Sequence, residues 1–433
     1  MFLNWSQNLP MIITATIEFC LIGLILTSMI LWAKKYLVKT TPCKIKINNN
    51  PDLSKTVSGG VSLLTALTNS GIPIPSPCGG KATCKQCKVK IIEGADEPLE
   101  TDKSTFSNKQ IKEGFRLACQ SRLIHDLSLE IDPKYLNVQD WTGTVISNNN
   151  VATFIKELVI QVNDNQKIPY KAGGYLQISV PPFKTNTSDW KKTMDQKFFE
   201  DWEHFQLFDK IIDYSNIKPN SFLRAYSLAS YPDESPIIKF NIRIATPPII
   251  DNKVNSKIPW GLCSSYIFSL QPGDIVKMTG PYGESFMKEG NKPIIFLIGG
   301  AGSSFGRSHI LDLLKGKHSS RSIDLWYGAR SLKENIYQEE YLQLEKDYPN
   351  FKYHLVLSNP QQNDINEGWD INDPIQTNYL FKAFELGQLS NLEEPDDFLY
   401  YLCGPPLHNT SVLNLLENYG VDKNHIILDD FGN

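Results

Sequence analysis

The most apolar stretch of the chain comes first. Residues 11–32 read MIITATIEFCLIGLILTSMILW, with Glu18 as the one charge. A helix of that length measures about 33 Å, enough for a hydrocarbon core of ~30 Å. Lys34, Lys35 and Lys39 follow, whereas residues 1–10 hold no Lys or Arg. The positive-inside bias therefore predicts a retained transmembrane helix over 11–32, an extracytoplasmic N-terminus over 1–10 and a cytoplasmic remainder. A cleaved signal would carry its positive charge before the apolar run and a small-residue site after it, the reverse of this order. Glu18 meets a partner subunit, reaches water at one leaflet or is protonated.

Beyond the anchor the pattern changes three times. Over 41–133, CKIKINNN alternates apolar and polar positions and predicts a strand closed by a turn at Asn48–Asn50. Val61, Leu63, Leu64 and Leu67 lie at helical spacing, and KVKII and LSLEID predict further strands, a β-grasp of ferredoxin type. Over 134–287 the runs WTGTVIS, TFIKELVIQV, GYLQISV, FLRAYSLAS, IIKFNIRIA and DIVKMTG predict an antiparallel β-barrel. Residues 181–220, rich in Lys, Asp and aromatics, interrupt it with a partly helical insertion too long for a hairpin loop. Over 288–433, PIIFLIG, SIDLWYG, FKYHLVLS and DFLYYLCG alternate with helix-period segments, which predicts an α/β doubly wound parallel sheet. The fold class is thus multidomain: a transmembrane helix, a β-grasp, a β-barrel and a doubly wound domain.

A length of 433 residues suits about three domains. The composition, 41% hydrophobic and 21% charged, is that of ordinary globular material, and a net charge of −4 gives no basic stripe for nucleic acid.

The chemistry begins with Cys78, Cys84 and Cys87 in PCGGKATCKQCKV and Cys119 in RLACQ. Three thiolates on one tight loop and a distant fourth suit a 2Fe-2S cluster, with a first spacing one residue longer than in the plant type. Small residues between them let backbone N–H groups turn toward the sulfurs. Zinc is the competitor, although its structural sites pair two short units rather than dividing ligands three and one. A disulfide framework belongs to small secreted domains. Cys20, Cys43 and Cys263 have no partner at ligand spacing and read as packing residues.

Arg224, Tyr226 and Ser227 close one barrel strand. The Arg can neutralise a pyrophosphate, the Tyr can cover an isoalloxazine ring, and the Ser can hydrogen-bond its edge, so a flavin is the expected cofactor. Gly261, Ser264 and Ser265 open a helix whose N–H groups suit phosphate. Gly299, Gly300 and Gly302 form a turn between a strand and a helix, which suits the pyrophosphate of a nicotinamide dinucleotide. The next strand ends Tyr327-Gly328-Ala329-Arg330-Ser331 without an acid, so spacing leaves NADH and NADPH both open. Cys403, in Cys403-Gly404-Pro405-Pro406, falls at the strand edge where open sheets bind ligands, and Phe431 near the chain end can fold over the flavin. The seven histidines show no ligand or triad spacing and read as structural or surface residues.

These three motifs, in this order, resemble the ferredoxin–NADP reductase superfamily fused to an N-terminal ferredoxin. With the anchor, the insertion and the ending ILDDFGN, the chain is similar along its full length to one family, the F subunits of bacterial sodium-translocating NADH:quinone oxidoreductases. The family's further Gly before the Gly pair and its Ala-Pro after the last Gly are replaced by Ile298 and by Ser304-Phe305. The resemblance implies that Cys78, Cys84, Cys87 and Cys119 hold the cluster, that Arg224, Tyr226, Ser227 and Ser264 or Ser265 hold FAD, and that Gly300, Gly302 and Cys403 face NADH. It implies hydride transfer from NADH to FAD and single electrons to the cluster. Beyond the chain it implies membrane partner subunits, ubiquinone as final acceptor, and sodium transport across the inner membrane, a translocase activity. Two other readings share some of these parts: the reductase component of a multicomponent oxygenase, normally soluble, and a membrane-tethered iron–sulfur redox sensor.

Overall fold

The computed structural model describes residues 5–37, 41–72, 74–76, 78–132, 135, 138–217, 222–250, 253–255 and 257–430. The chain divides into two compact units, Met1–Ile74 with Lys85–Leu136, and Pro75–Cys84 with Asn137–Asn433.

The first unit opens with a helix, Trp5–Leu37. It outruns the apolar stretch at both ends, since polar residues such as Ser6, Gln7 and Lys34 continue a helix readily once one is nucleated. Its apolar window, Ile13–Ile30, has a mean hydropathy of 2.0 and no buried residue. Phe19 is 78% exposed and Ile30 67%. A five-stranded sheet follows, of β1 (Pro42–Ile47), β2 (Asn50–Ser58), β3 (Lys88–Glu93), β4 (Phe115–Leu117) and β5 (Leu127–Glu130), in the order β2-β1-β5-β3-β4. The alternation in β1 buries Cys43, Ile45 and Ile47. Asn48 and Asn49 both take positive φ (50° and 53°), the backbone a two-residue hairpin turn needs. β2 carries no clear apolar alternation because it is an edge strand; its place is set by pairing with β1 from Pro42–Ser58 to Ile47–Asn50. The helix Leu63–Asn69 starts after Ser62, whose side chain accepts from the Thr65 N–H at 3.2 Å, so Val61 lies outside it.

In the second unit, β6 (Gln139–Ala152), β7 (Ile155–Val162), β8 (Tyr175–Val180), β11 (Phe222–Ser227), β12 (Ile237–Arg243) and β15 (Ile275–Tyr282) form one antiparallel sheet. Its order is β11-β8-β15-β6-β7-β12. The sheet curls until its edges meet: Leu228, just past β11, bridges to Phe240 on β12, and the Ala229 N–H donates to the Lys239 carbonyl at 2.7 Å. The insertion holds β9 (Lys184–Asn186), 3-10 turns, the helix Phe199–His204 and β10 (Ile211–Asp213). It folds because it has its own aromatic core, in which Trp190, Phe198, Trp202 and Phe208 pack with Phe268. A short hairpin, β13 (Ile249–Ile250) and β14 (Lys253–Val254), comes before the helix Leu262–Ser269.

The remainder of this unit is a five-stranded parallel sheet of β16 (Ile294–Gly299), β17 (Ile323–Ala329), β18 (Phe351–Leu357), β19 (Leu399–Cys403) and β20 (Ile426–Leu428), in the order β18-β17-β16-β19-β20. Every residue of β16 and β19 is buried, as expected of strands covered on both faces. Strand order reverses between β16 and β19, so their C-terminal ends flank a topological switch point. β20 is absent from the periodicity reading because three residues are too few to show one. Arg307, 3% exposed, ties the two sheets together through paired bonds to Glu234 at 2.9 Å, to Glu340 at 2.6 and 2.9 Å, and to the Ala229 carbonyl at 2.8 Å.

Candidate functional site

Gly79, Gly80 and Ala82 all take positive φ (64°, 91° and 65°), which coils the backbone of the cysteine loop around its sulfurs. Cys78 is buried and Cys84 half-buried, with their sulfurs 3.2 Å apart. The bond from the Cys84 thiol, then the backbone N–H groups of Cys84, Gly80 and Lys81, hold the Cys78 thiol down at about 4 against the opposing effect of burial. A thiolate nest of this kind fits an iron ligand. In the first unit Cys87 is wholly buried and Cys119 half-buried. The eight cysteines form no disulfide. Among the described residues no three His, Cys, Asp or Glu side chains form a ready-made metal cage, so the four-ligand set rests on spacing and on the family match below.

Arg224, Tyr226 and Ser227 line one cleft of about 480 Å³, a usual size for a cofactor site. β11 places them there with Ala225, while Gly299, Gly302 and Gly404 approach from the parallel sheet. Cys78 and Lys81 of the cysteine loop line it too. Gly79 lies so close to Arg224 that a Cβ would overlap the guanidinium. Sequence reasoning missed Asn241 and Ala245, which also line the cleft; no motif marks them.

Gly261 and Ser264 reach this cleft indirectly, through Ala245. The Gly261 N–H donates to the Ala245 carbonyl at 2.8 Å, and the Ser264 hydroxyl accepts from the Ala245 N–H at 3.1 Å and donates to the Gly261 carbonyl at 3.2 Å. The Ser265 hydroxyl is buried without a partner among the described residues. Behind Ser227 stands a carboxylate that no motif singles out. The Ser227 hydroxyl donates to Asp429 Oδ2 at 2.8 Å. Burial first, then Asp430, raise the Asp429 carboxyl to about 6 against the pull of that bond. Cys403 is wholly buried, and burial followed by Asp429 and Asp430 push its thiol well above the ordinary value. It forms the wall behind Gly302 while Gly404, Pro405 and Pro406 face the cleft. Phe431 lies outside the described residues.

A second cleft, about 320 Å³, opens at the switch point. Gly299, Gly300 and Gly328 form its floor, and Gly300 takes a φ of +55°. Arg243, Arg330 and Glu334 rim it. Glu334 escaped the sequence reading because it stands beyond the end of β17, on a short turn, Leu332–Glu334. Burial lowers His309 to about 3 and lowers His408, and each of these two rings bonds a backbone carbonyl.

Three domain families match in sequence: the 2Fe-2S iron-sulfur cluster binding domain over 47–123, the oxidoreductase FAD-binding domain over 208–286 and the oxidoreductase NAD-binding domain over 296–411. The first match spans Cys78, Cys84, Cys87 and Cys119. Among solved structures, an Amycolatopsis cytochrome P450 reductase aligns with a TM-score of 0.58 at 19% identity, over 90% of this chain and 98% of its own. The ferredoxin reductase of a carbazole 1,9a-dioxygenase gives 0.55 at 18%, with the same coverage. At such identities these two show the fold alone. Fold and matched domains together define an iron–sulfur flavoprotein oxidoreductase that uses a nicotinamide dinucleotide. The F subunit of the Na(+)-translocating NADH-quinone reductase of Chlamydia caviae is 66% identical over 99% of this chain and 100% of its own length. The Chlamydia trachomatis protein of that name is 64% identical over the same shares, and the Mannheimia succiniciproducens one 43% identical over 96% and 97%. The chain belongs to this family, the F subunits of Na(+)-translocating NADH-quinone reductases.

Proposed function

We propose that this chain is the electron-input subunit of a sodium-pumping NADH:quinone oxidoreductase, taking a hydride from NADH and releasing single electrons toward membrane partners. The observation that carries the reading is the cleft in which the Arg224–Ser227 strand, the Gly299–Gly302 turn and the Cys78 loop meet. Bound FAD supplies the conversion between two-electron and one-electron transfer, and a 2Fe-2S cluster supplies the one-electron outlet. Cys78, Cys84, Cys87 and Cys119 hold the cluster. Arg224 neutralises the flavin pyrophosphate, Tyr226 covers the ring, and Ser227 bonds its edge. The helix at Gly261, with Ser264 and Ser265, completes the phosphate side. Gly299, Gly300 and Gly302 leave room for the dinucleotide backbone, Cys403 backs the Gly302 turn from within the fold, and Phe431 flanks the nicotinamide.

The boundaries that suit this reading are 1–10 outside, 11–32 in the membrane, 41–133 for the cluster, 134–287 for FAD and 288–433 for NADH. The helix crosses the inner membrane once, with Lys34 and Lys35 on the cytoplasmic side. One helix makes no ion path, so sodium moves through partner subunits and ubiquinone takes the electrons there. Relatives matching over 99% of the chain, apolar helix included, favour this over a soluble oxygenase reductase.

Anaerobic titration of the detergent-purified chain with NADH tests it. Flavin absorbance bleaches and the paramagnetic signal of a reduced cluster appears. Cys84→Ala abolishes the signal and leaves the bleaching. Zinc without iron or acid-labile sulfide in air-protected protein would overturn the reading.

A further inference from the structure

The insertion between β8 and β11 reaches the dinucleotide cleft around Thr153. Thr153, wholly buried, sits in the tight turn between β6 and β7. On the insertion helix, Trp202 donates its indole N–H to the Thr153 carbonyl at 2.7 Å, and Asp201 Oδ2 lies 3.1 Å from the Thr153 hydroxyl. On the other side the Thr153 N–H donates to Glu334 Oε2 at 3.3 Å, and its hydroxyl bonds Glu334 Oε1. One hydroxyl has one proton, so it serves one carboxylate at a time. The balance is kept by cations: Lys333 Nζ sits 2.5 Å from Asp201 Oδ2, and Arg330 3.7 Å from Glu334 Oε1. Phe154, which lines the cleft beside Glu334, packs on Trp202 with ring centres 5.7 Å apart.

We propose that Asp201 is a positioning residue for dinucleotide binding: the insertion holds Lys333 and shares Thr153, so that the Glu334 carboxylate stays presented to the adenosine ribose. A carboxylate at the rim of such a cleft accepts from ribose hydroxyls. Without the Asp201 charge, the Lys333 ammonium is released beside Glu334, and the Thr153 proton goes to Glu334 alone. The carboxylate's lone pairs then turn from the cleft to the protein. The inference rests on the second cleft being the NADH site.

Steady-state oxidation of NADH by the full chain, with ferricyanide as acceptor, separates the two claims. Asp201→Asn raises KM for NADH by about three- to tenfold while kcat stays within about twofold and flavin content is unchanged. Thr153→Val in the Asp201→Asn background reverses part of that rise, because the proton that Glu334 gained from Thr153 is then missing. Glu334→Gln is the control and raises KM at least as much. If Glu334→Gln alters KM and Asp201→Asn does not, or if Asp201→Asn loses flavin and kcat together with KM, the positioning role is overturned. If Glu334→Gln leaves KM unchanged, the cleft is not the dinucleotide site and both claims fall.

Discussion

Asp429 follows β20, and its N–H donates to the Leu402 carbonyl at 2.9 Å, which fixes the carboxyl behind Ser227 and away from water. Its carboxyl titrates near 6, above the usual carboxylate value of 3.8. The folded chain therefore binds more protons than the unfolded one across that window. Its contribution to stability is full below the ordinary value and is lost as pH rises through 6. Asp429→Asn removes up to about 1.4 kcal/mol per pH unit from the slope of stability between pH 5 and 6. Urea unfolding across that range, compared with the parent, checks it; identical slopes would refute the raised value. Gly79 makes a second point at this scale. Its φ of +64° and its approach to Arg224 both disfavour a side chain. Gly79→Ala strains the backbone by about 1–2 kcal/mol and displaces the guanidinium. The flavin-to-protein ratio after gel filtration falls, and full flavin retention would count against the contact.

Among elements, the pair β16 and β19 matters most. The turn after β16 packs on the end of β19 so closely that a Cβ on Gly302 would run into the Cys403 carbonyl. Gly302 has an ordinary φ of −60°, so space rather than conformation demands glycine here. Gly302→Ala costs about 1–3 kcal/mol of overpacking and parts the strand ends. A raised KM for NADH with a lowered melting temperature is the expected result, read by kinetics and calorimetry. The departures from the family pattern at this turn also find their physical use. The Ser304 hydroxyl accepts from the Asn241 N–H at 2.9 Å, Phe305 is wholly buried, and Ile298 is 1% exposed in β16. The turn thus keeps its glycines where the ligand must approach, and it is anchored by side chains where it packs on the flavin sheet.

For the molecule as a whole, the question is what the apolar helix is for. Its Ile13–Ile30 window stays bare of protein contacts that would bury it, and a water-facing surface of that kind is costly. A chain lacking residues 1–40 should appear in the aqueous fraction and keep NADH oxidation with ferricyanide. It should not restore quinone reduction to membranes deprived of the native chain. Partition of the truncated chain with the membrane pellet would show that another surface holds it there.

Sequence and structure divided the work by range. Apolar helix, strand runs, glycine turn and cysteine spacing are legible because each is a pattern within a short window, where periodicity and sterics act directly. The cleft residues Arg224, Tyr226 and Ser227 were legible too, since strand alternation and side-chain chemistry coincide there. The Ser227–Asp429 bond joins positions 202 apart and the Thr153–Glu334 bond positions 181 apart. β2, β20, Asn241 and Glu334 likewise carry no local signal. Their places follow from parallel crossovers and edge pairing, which bring distant segments together only when the whole sheet closes its order. What each segment could become was written locally. Which segments meet, and so which carboxylate faces which hydroxyl, was decided by the packing of the complete fold.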